Sequence, residues 1–310
     1  MNILLTGGAG YIGSHTALAL LDSGHKVTVI DDLSTGNKNL IPSNAIFLEC
    51  NINDQLKINN LLKSENFDVL MHFAGYIQVE ESVNNPKKYF NNNTVNAKIL
   101  FETCTNNNLK NIIFSSTAAA YGNPINEGPI KENSLLKPLN PYGESKIRTE
   151  LFLKNSPIIN YIILRYFNVA GADQKMRSGL ISKEATHLIK IASEVVVGKR
   201  EKITIFGNDY PTPDGTAIRD YIHVSDLADI HVNAAEHLLN SKKSDIINCG
   251  YGRGFSVKDV LKIVNKINNE NILIEGGNRR EGDSSMLISD VSKLNSILKW
   301  KPKYDNLEYI

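Results

Sequence analysis

Tyr142 and Lys146 stand four residues apart in the run Pro141-Tyr142-Gly143-Glu144-Ser145-Lys146. The residues that follow, Ile147 to Leu153, are good helix formers without Gly or Pro, and Leu and Phe fall on one side. Positions four apart on a helix share a face, so the phenol and the ammonium point into the same space. A free phenol is a poor base near neutrality, because its pKa is about 10. A cation about 4 Å away, at an effective dielectric of about 20, favours the phenolate by roughly 4 kcal/mol, or about three pKa units. Such a partner makes Tyr142 a usable general base. Because Y-x-x-x-K also arises by chance, the surrounding elements must decide whether this pair does chemistry.

The first of those elements is the amino-terminal stretch. Asn2 to Thr6 is a short apolar run that stops at Gly7-Gly8-Ala9-Gly10-Tyr11-Ile12-Gly13. Ser14 to Ser23 has helical spacing, Gly24 ends it, and Lys26 to Ile30 is a β-branched run leading to Asp31-Asp32. Strand, glycine turn, helix, strand and acid form the dinucleotide-binding pattern. The glycines let the backbone approach a pyrophosphate, and the helix N-terminus supplies free N–H groups. Asp31, about 20 residues beyond the turn, is placed to accept from the adenosine ribose hydroxyls and repels a 2′-phosphate, which favours NAD over NADP.

The alternation continues with strands at Ala45–Leu48, Val69–Phe73, Ile112–Ser116 and Ile158–Tyr166, and helices at Asp54–Ser64 and about Asn91–Asn107. These strands are apolar on both faces, which predicts a parallel sheet covered by helices. Sites in such sheets lie beyond the carboxyl ends of the strands. Gly7, Asp31, Phe73, Ser115-Ser116-Thr117 and Tyr166-Phe167-Asn168 should therefore gather along one rim. After Asn168 the pattern changes. A helix is predicted over Leu180–Val197, a strand over Ile203–Phe206, a helix over Ser225–Leu239, a strand over Ile246–Asn248, a helix over Val257–Ile267 and a strand over Ile272–Glu275. Between them Gly207 to Thr216 is dense in turn formers and long enough to suggest a working loop.

Composition sets the limits. The chain has 310 residues, 42% hydrophobic and 22% charged, with a formal net charge of +1, so it offers no electrostatic footprint for nucleic acid or an anionic membrane. No stretch approaches the ~18 apolar residues of a membrane span, and no signal-peptide pattern opens the chain. Cys50, Cys104 and Cys249 lie far apart, and the seven histidines show no metal-ligand spacing. A reduced, cytoplasmic protein without a metal is the expectation.

With Thr117, the Tyr142–Lys146 pair, the glycine turn and the Arg219 segment in hand, the chain resembles the extended short-chain dehydrogenase/reductases, and within them the UDP-sugar 4-epimerases. The resemblance spans essentially the whole chain. It is carried by TGGAGYIGSHT (6–16), PYGESK (141–146), LRYFNVAGA (164–172), IFGNDYPTPDGTAIRDYIHV (205–224) and RREGD (279–283). It implies a Rossmann-like doubly wound parallel sheet with a smaller C-terminal α/β substrate domain. The NAD domain would be 1–168, with elements near 220–248 returning to it. The UDP-sugar domain would be 169–310, truncated at its C-terminus, because relatives continue beyond the Trp300 region.

The same resemblance implies residue roles. Gly7, Gly10, Tyr11, Ile12 and Gly13 would hold the NAD pyrophosphate, and Asp31, Asp32 and the loop through Gly36 the adenosine ribose. Asn51 and Ile52 would lie at the adenine, and Phe73, Ala74, Gly75, Asn92 and Ser115 along the cofactor path. Tyr166 and Phe167 would border the nicotinamide. Lys146 would hold the nicotinamide ribose and acidify Tyr142, while Thr117 would bind the sugar 4-hydroxyl. Asn168, Arg219 and Arg280 would meet the diphosphate of a UDP-hexose, and Leu188, Thr204, Phe206, Tyr221 and Asp283 its uridine. The implied reaction interconverts UDP-galactose and UDP-glucose through a 4-keto sugar, in a homodimer.

Two positions depart from the family pattern. Asn51 replaces the usual aspartate near adenine. Leu287 replaces the tyrosine, cysteine or serine whose size controls access around sugar carbon 2. Three rivals share parts of this pattern. A nucleotide-sugar 4,6-dehydratase needs an acid beside the threonine, where this chain has Ala118-Ala119. A 4-epimerase for a pentose, uronic acid or N-acetyl sugar is a second alternative, and a non-catalytic NAD/UDP-sugar-binding module a third.

Overall fold

The computed structural model describes residues 1–124, 128–181 and 185–310. Its centre is a seven-stranded sheet, parallel throughout, whose inner strands are buried, largely apolar runs. In chain order the amino-terminal elements are β1 (Asn2–Thr6), α1 (Tyr11–Asp22), β2 (Lys26–Asp31), β3 (Ile46–Glu49), α2 (Gln55–Ser64) and β4 (Val69–His72). Two short helices follow, α3 (Val79–Asn84) and α4 (Pro86–Tyr89), and lead through a π-helical turn (Phe90–Asn96) into α5 (Ala97–Asn106). The predicted helix from Asn91 thus opens with π geometry, which is frequent at functional sites. Next come β5 (Asn111–Thr117), α6 (Pro141–Lys154), β6 (Asn160–Tyr166) and β7 (Asn168–Ala170).

The remaining elements are α7 (Leu188–Val196), β8 (Ile203–Phe206), β9 (Ile218–His223), α8 (Val224–Ser241), β10 (Asp245–Cys249), β11 (Gly254–Ser256), α9 (Val257–Asn268), β12 (Ile274–Gly277), β13 (Met286–Leu287) and α10 (Ser292–Leu298). The strand order of the large sheet is β10-β6-β5-β4-β1-β2-β3. Helices α1, α8 and α10 bury Ala17, Leu20, Leu227, Leu238 and Leu294 on one face. Helices α2, α5 and α6 bury Ile58, Leu62, Leu100, Phe101 and Leu153 on the other. This is the doubly wound arrangement expected from the sequence.

Beyond the rim, β9 pairs with β7, β11 and β13, and β8 pairs with β12. The predicted helix over Leu180–Val197 is shorter than expected. It starts at Leu188, after an extended His187, and Ser182 to Glu184 lie outside the described residues. Among the described residues no helix is long and apolar enough to cross a membrane.

Among the buried imidazoles, His72, His223 and His231 are held furthest from protonation, which therefore opposes folding. Burial pulls His72 down to about 3 and His223 and His231 to about 4, from an ordinary value of 6.5. Their folded pKa values lie below the unfolded one, so the unfolded chain binds protons first as the pH falls. Stability is therefore expected to drop from about pH 6.5 towards pH 4, by on the order of 3 kcal/mol per imidazole. Thermal midpoints recorded across that interval check this, and a flat profile contradicts it.

Candidate active site

Helix α6 begins where its sequence dictates. The Asn140 side chain accepts from the Gly143 N–H at 2.9 Å, Pro141 occupies the first turn and Glu144 complements the positive helix end. This cap places Tyr142 in the first turn and Lys146 one turn later. Beside them β5 ends at Thr117, whose hydroxyl accepts from the Ala119 N–H at 3.1 Å. The Thr117 side chain lies close enough to the Tyr142 phenol to favour its ionised form. The Tyr142 ring packs edge-on to Tyr89, with centroids 6.4 Å apart.

The expected effect of Lys146 on Tyr142 is corrected by this geometry. The ammonium donates to the Ser115 carbonyl at 3.0 Å and lies 5.0 Å from the Phe114 ring centroid. Burial raises the phenol above its ordinary value, and only Thr117 opposes that shift. The expected lowering of about three units is absent. The long lysine side chain reaches the carbonyl at the end of β5 in preference to the phenol. Burial also pulls Lys146 itself down to about 8, with the Glu150 carboxylate resisting.

The glycine turn leads into an open cleft at the carboxyl ends of β1, β2, β3 and β4. Gly7, Gly10, Asp31, Asp32, Asn51, Ile52, Phe73, Ala74, Gly75 and Asn92 all line it. The fit to a dinucleotide rests on the turn itself. No side chain caps the start of α1, and no acid sits in its first turn, which leaves N–H groups for an anion. A Cβ on Gly13 would come within 2.2 Å of the Gly7 carbonyl oxygen, so this close approach admits only glycine. Asp31 accepts from the Ala9 N–H at 2.9 Å and the Leu33 N–H at 2.8 Å, which fixes its carboxylate at the end of β2. The Asn51 amide donates to Asp32 at 2.7 Å. An aspartate at position 51 would repel Asp32 instead of donating to it.

Several side chains point elsewhere than the rim. The Tyr11 hydroxyl donates to the Gly171 carbonyl at 2.6 Å, and Ile12 packs against the main core. Tyr166 is buried, with its hydroxyl bonded to His231. Phe167 packs with Ala118, Tyr121 and Leu287 in a small cluster directly after Thr117.

The predicted substrate residues lie on the two smaller sheets and the segments beside them. In one, Asn168 pairs with Tyr221, and Arg219 with Leu287. In the other, Thr204 and Phe206 lie along β8, where the Thr204 hydroxyl donates to Glu275 at 2.8 Å. Arg280 lies 3.7 Å over the Phe206 ring, and Arg279 pairs with Asp209 at 2.6 Å. Tyr221 is buried against Val260 and Leu307, with half-buried Leu188 beside it. Asp283 closes a turn onto the Arg280 carbonyl at 3.4 Å. Asp220, an obvious ion partner for Arg219 in the sequence, instead accepts from Tyr251, Gly252 and Ser289.

Three residues went unselected in the sequence. Cys50 and Tyr76 also line the cleft, and the rim rule could have found both, since each follows a strand end closely. Asn93 exchanges hydrogen bonds with the Tyr76 backbone at 2.9 Å and donates to Ser145 at 3.2 Å, tying the cleft wall to α6. Within the run Asn91–Asn93 nothing local separates it from its neighbours; the π-helical turn does.

The family of NAD dependent epimerases/dehydratases matches residues 3–250. A UDP-glucose 4-epimerase of Azospirillum brasilense is 45% identical over 311 residues, covering 99% of this chain and 89% of its own length. A UDP-glucose 4-epimerase of Bifidobacterium longum, crystallised with NAD+ and UDP, superimposes with a TM-score of 0.94 at 34% identity, covering 100% of this chain and 95% of that one. The UDP-Glc/GlcNAc 4-epimerase of Campylobacter jejuni superimposes at 0.85 with 45% identity, covering 99% and 95%. Its glycine cradle, its Tyr142–Thr117 contact and these full-length likenesses lead to one assignment: the chain belongs to the NAD dependent epimerase/dehydratase family.

Proposed function

We propose that this protein is an NAD-dependent epimerase that interconverts UDP-galactose and UDP-glucose at sugar carbon 4. The observation that carries the reading is the Tyr142 phenol, set beside Thr117 and one helical turn from Lys146, next to the dinucleotide cleft. Bound NAD+ would accept the carbon 4 hydride and return it to either face of the 4-keto sugar.

The chain's own residues do the rest. Gly7, Gly10, Tyr11, Ile12 and Gly13 hold the pyrophosphate with backbone N–H groups. Asp31 and Asp32 take the adenosine ribose, and Asn51 and Ile52 flank adenine. Phe73, Ala74, Gly75 and Asn92 wall the path towards the nicotinamide, and the backbone at Ser115, Tyr166 and Phe167 closes its far end. Tyr142 removes the proton from the sugar 4-hydroxyl through Thr117 and gives it back. Asn168, Arg219 and Arg280 neutralise the diphosphate. Leu188, Thr204, Phe206, Tyr221 and Asp283 enclose uridine. Anchoring at the nucleotide leaves the hexose free to turn, so remote binding energy serves chemistry at another atom.

On this reading residues 1–168, with roughly 220–248 returning, form the NAD-binding unit, and 169–310 the UDP-sugar unit. Three unpaired, buried cysteines suit a reducing cytoplasm. A homodimer follows from the family resemblance, and light scattering tests it. The small Ala118-Ala119 pair after Thr117 leaves no acid for dehydration.

Purified protein incubated with UDP-galactose, without added NAD, is expected to yield UDP-glucose. Absence of conversion, in protein that retains NAD and binds UDP, would favour the binding-module reading. UDP-N-acetylgalactosamine run alongside measures the breadth that Leu287, packed against Phe167, permits.

A further inference from the structure

One layer below the rim, three strands carry polar residues in register. Ser116 on β5 pairs with Arg165 on β6, and Arg165 pairs with Asn248 on β10. The next residues along these strands are Thr117, Tyr166 and Cys249. Glu150 on α6 closes the row from the helix side. Its carboxylate accepts from Arg165 Nε at 2.9 Å, Arg165 Nη2 at 2.6 Å and Ser116 Oγ at 2.5 Å. Arg165 Nη1 donates to the Tyr121 hydroxyl at 2.8 Å and the Glu132 carbonyl at 3.0 Å. Tyr121 in turn donates to Asn248 at 2.6 Å. Glu150 and Arg165 are each only 1% exposed.

A buried ion pair is seldom more stable than an apolar pair of the same volume, so stability alone does not explain this row. Its bidentate geometry does fix directions. Glu150 lies one helical turn after Lys146 and two after Tyr142, on the same side of α6. Clamped to β5 and β6, it sets the rotation of α6 against the strand that ends in Thr117. It also places an anion one turn from the ammonium.

We propose that Glu150, clamped by Arg165 and Ser116, is the positioning residue for the Tyr142–Lys146 pair, fixing both its orientation and the charge of the lysine. This rests on the reading of that pair given under the proposed function. The titratable groups around the pair are Glu150 on α6, Tyr89 on α4, His72 on β4, Arg165 and Tyr166 on β6, and Tyr121 and Glu132 after β5. Asn93 on the π-helical turn is uncharged. Glu150 is the charge that raises the Lys146 pKa against burial, and His72 stays neutral because burial pulls it down to about 3.

The test compares the parent with Glu150→Gln and with the double variant Glu150→Met/Arg165→Met. In Glu150→Gln, kcat is expected to fall about 100-fold, the cost of a slightly misplaced catalytic group. The alkaline limb of its kcat–pH profile should move about one unit lower, because Lys146 loses its anion. UDP affinity, measured calorimetrically, should change less than about twofold, because the nucleotide contacts lie on other elements. The double variant removes the stranded arginine charge, so its thermal midpoint should recover towards the parent. Its kcat should stay low and its limb displaced. A double variant that recovers kcat and limb together with stability would overturn the proposal, as would an unmoved limb in both variants. A parent that neither binds UDP nor converts UDP-galactose overturns the underlying reading and this inference with it. A parent that does both, with unmoved limbs in the variants, overturns this inference alone.

Discussion

Replacing Tyr142 with Phe is expected to lower kcat for UDP-galactose by about 10³-fold, within the range for losing a general acid–base group. The substitution removes one oxygen and keeps the ring. The edge-on contact with Tyr89 survives, and so does the helix cap at Asn140. UDP binding and NAD retention should therefore stay near the parent's values. The lost atom is the one beside Thr117, through which the sugar hydroxyl is reached. Lys146, pulled down to about 8, loses its proton before the buried phenol ionises, so turnover should fall above about pH 8. Near-normal kcat in a variant that still holds NAD would sink the assignment.

The second large effect is expected from Gly13→Ala. A Cβ there would lie 2.2 Å from the Gly7 carbonyl oxygen and 2.9 Å from its carbon, closer than real side chains come. The turn between β1 and α1 must open, which moves the helix N-terminus and its N–H groups. Loss of one or two charge-assisted hydrogen bonds, each worth about 1.5–3 kcal/mol, corresponds to roughly 100-fold weaker NAD binding. Calorimetric NAD titration measures this directly, and Gly24→Ala is the control. Gly24 has a φ of +78° but no atom within 4 Å of a would-be Cβ. Its alanine variant should lose roughly 1 kcal/mol of stability to backbone strain, with NAD affinity unchanged. Equal NAD affinity in the Gly13 variant would remove the pyrophosphate from this turn.

The dinucleotide half was legible in the sequence because its signals are local. Buried β-branched runs, the glycines at 7–13 and an acid after β2 each constrain a few neighbouring residues. Parallel strands then force their carboxyl ends, and hence Asp31, Phe73 and Thr117, onto one rim. The helix pairing of Tyr142 with Lys146 was equally local. What the ammonium touches was not, because the Ser115 carbonyl comes from a strand 31 positions earlier.

The short strands β7, β11 and β13 carried no periodicity of their own, since two or three residues cannot show one. Their partner β9 defines them. Likewise, β10 takes the edge beside β6 through pairing across some 80 residues, which no window of sequence contains. The stacking of Arg280 on Phe206 and the row Ser116–Arg165–Asn248 under Glu150 depend on such long-range register. Sequence alone determined which chemistry was available and on which elements it rode. The tertiary fold decided which charges face one another, because electrostatic contact depends on distance through space and not along the chain.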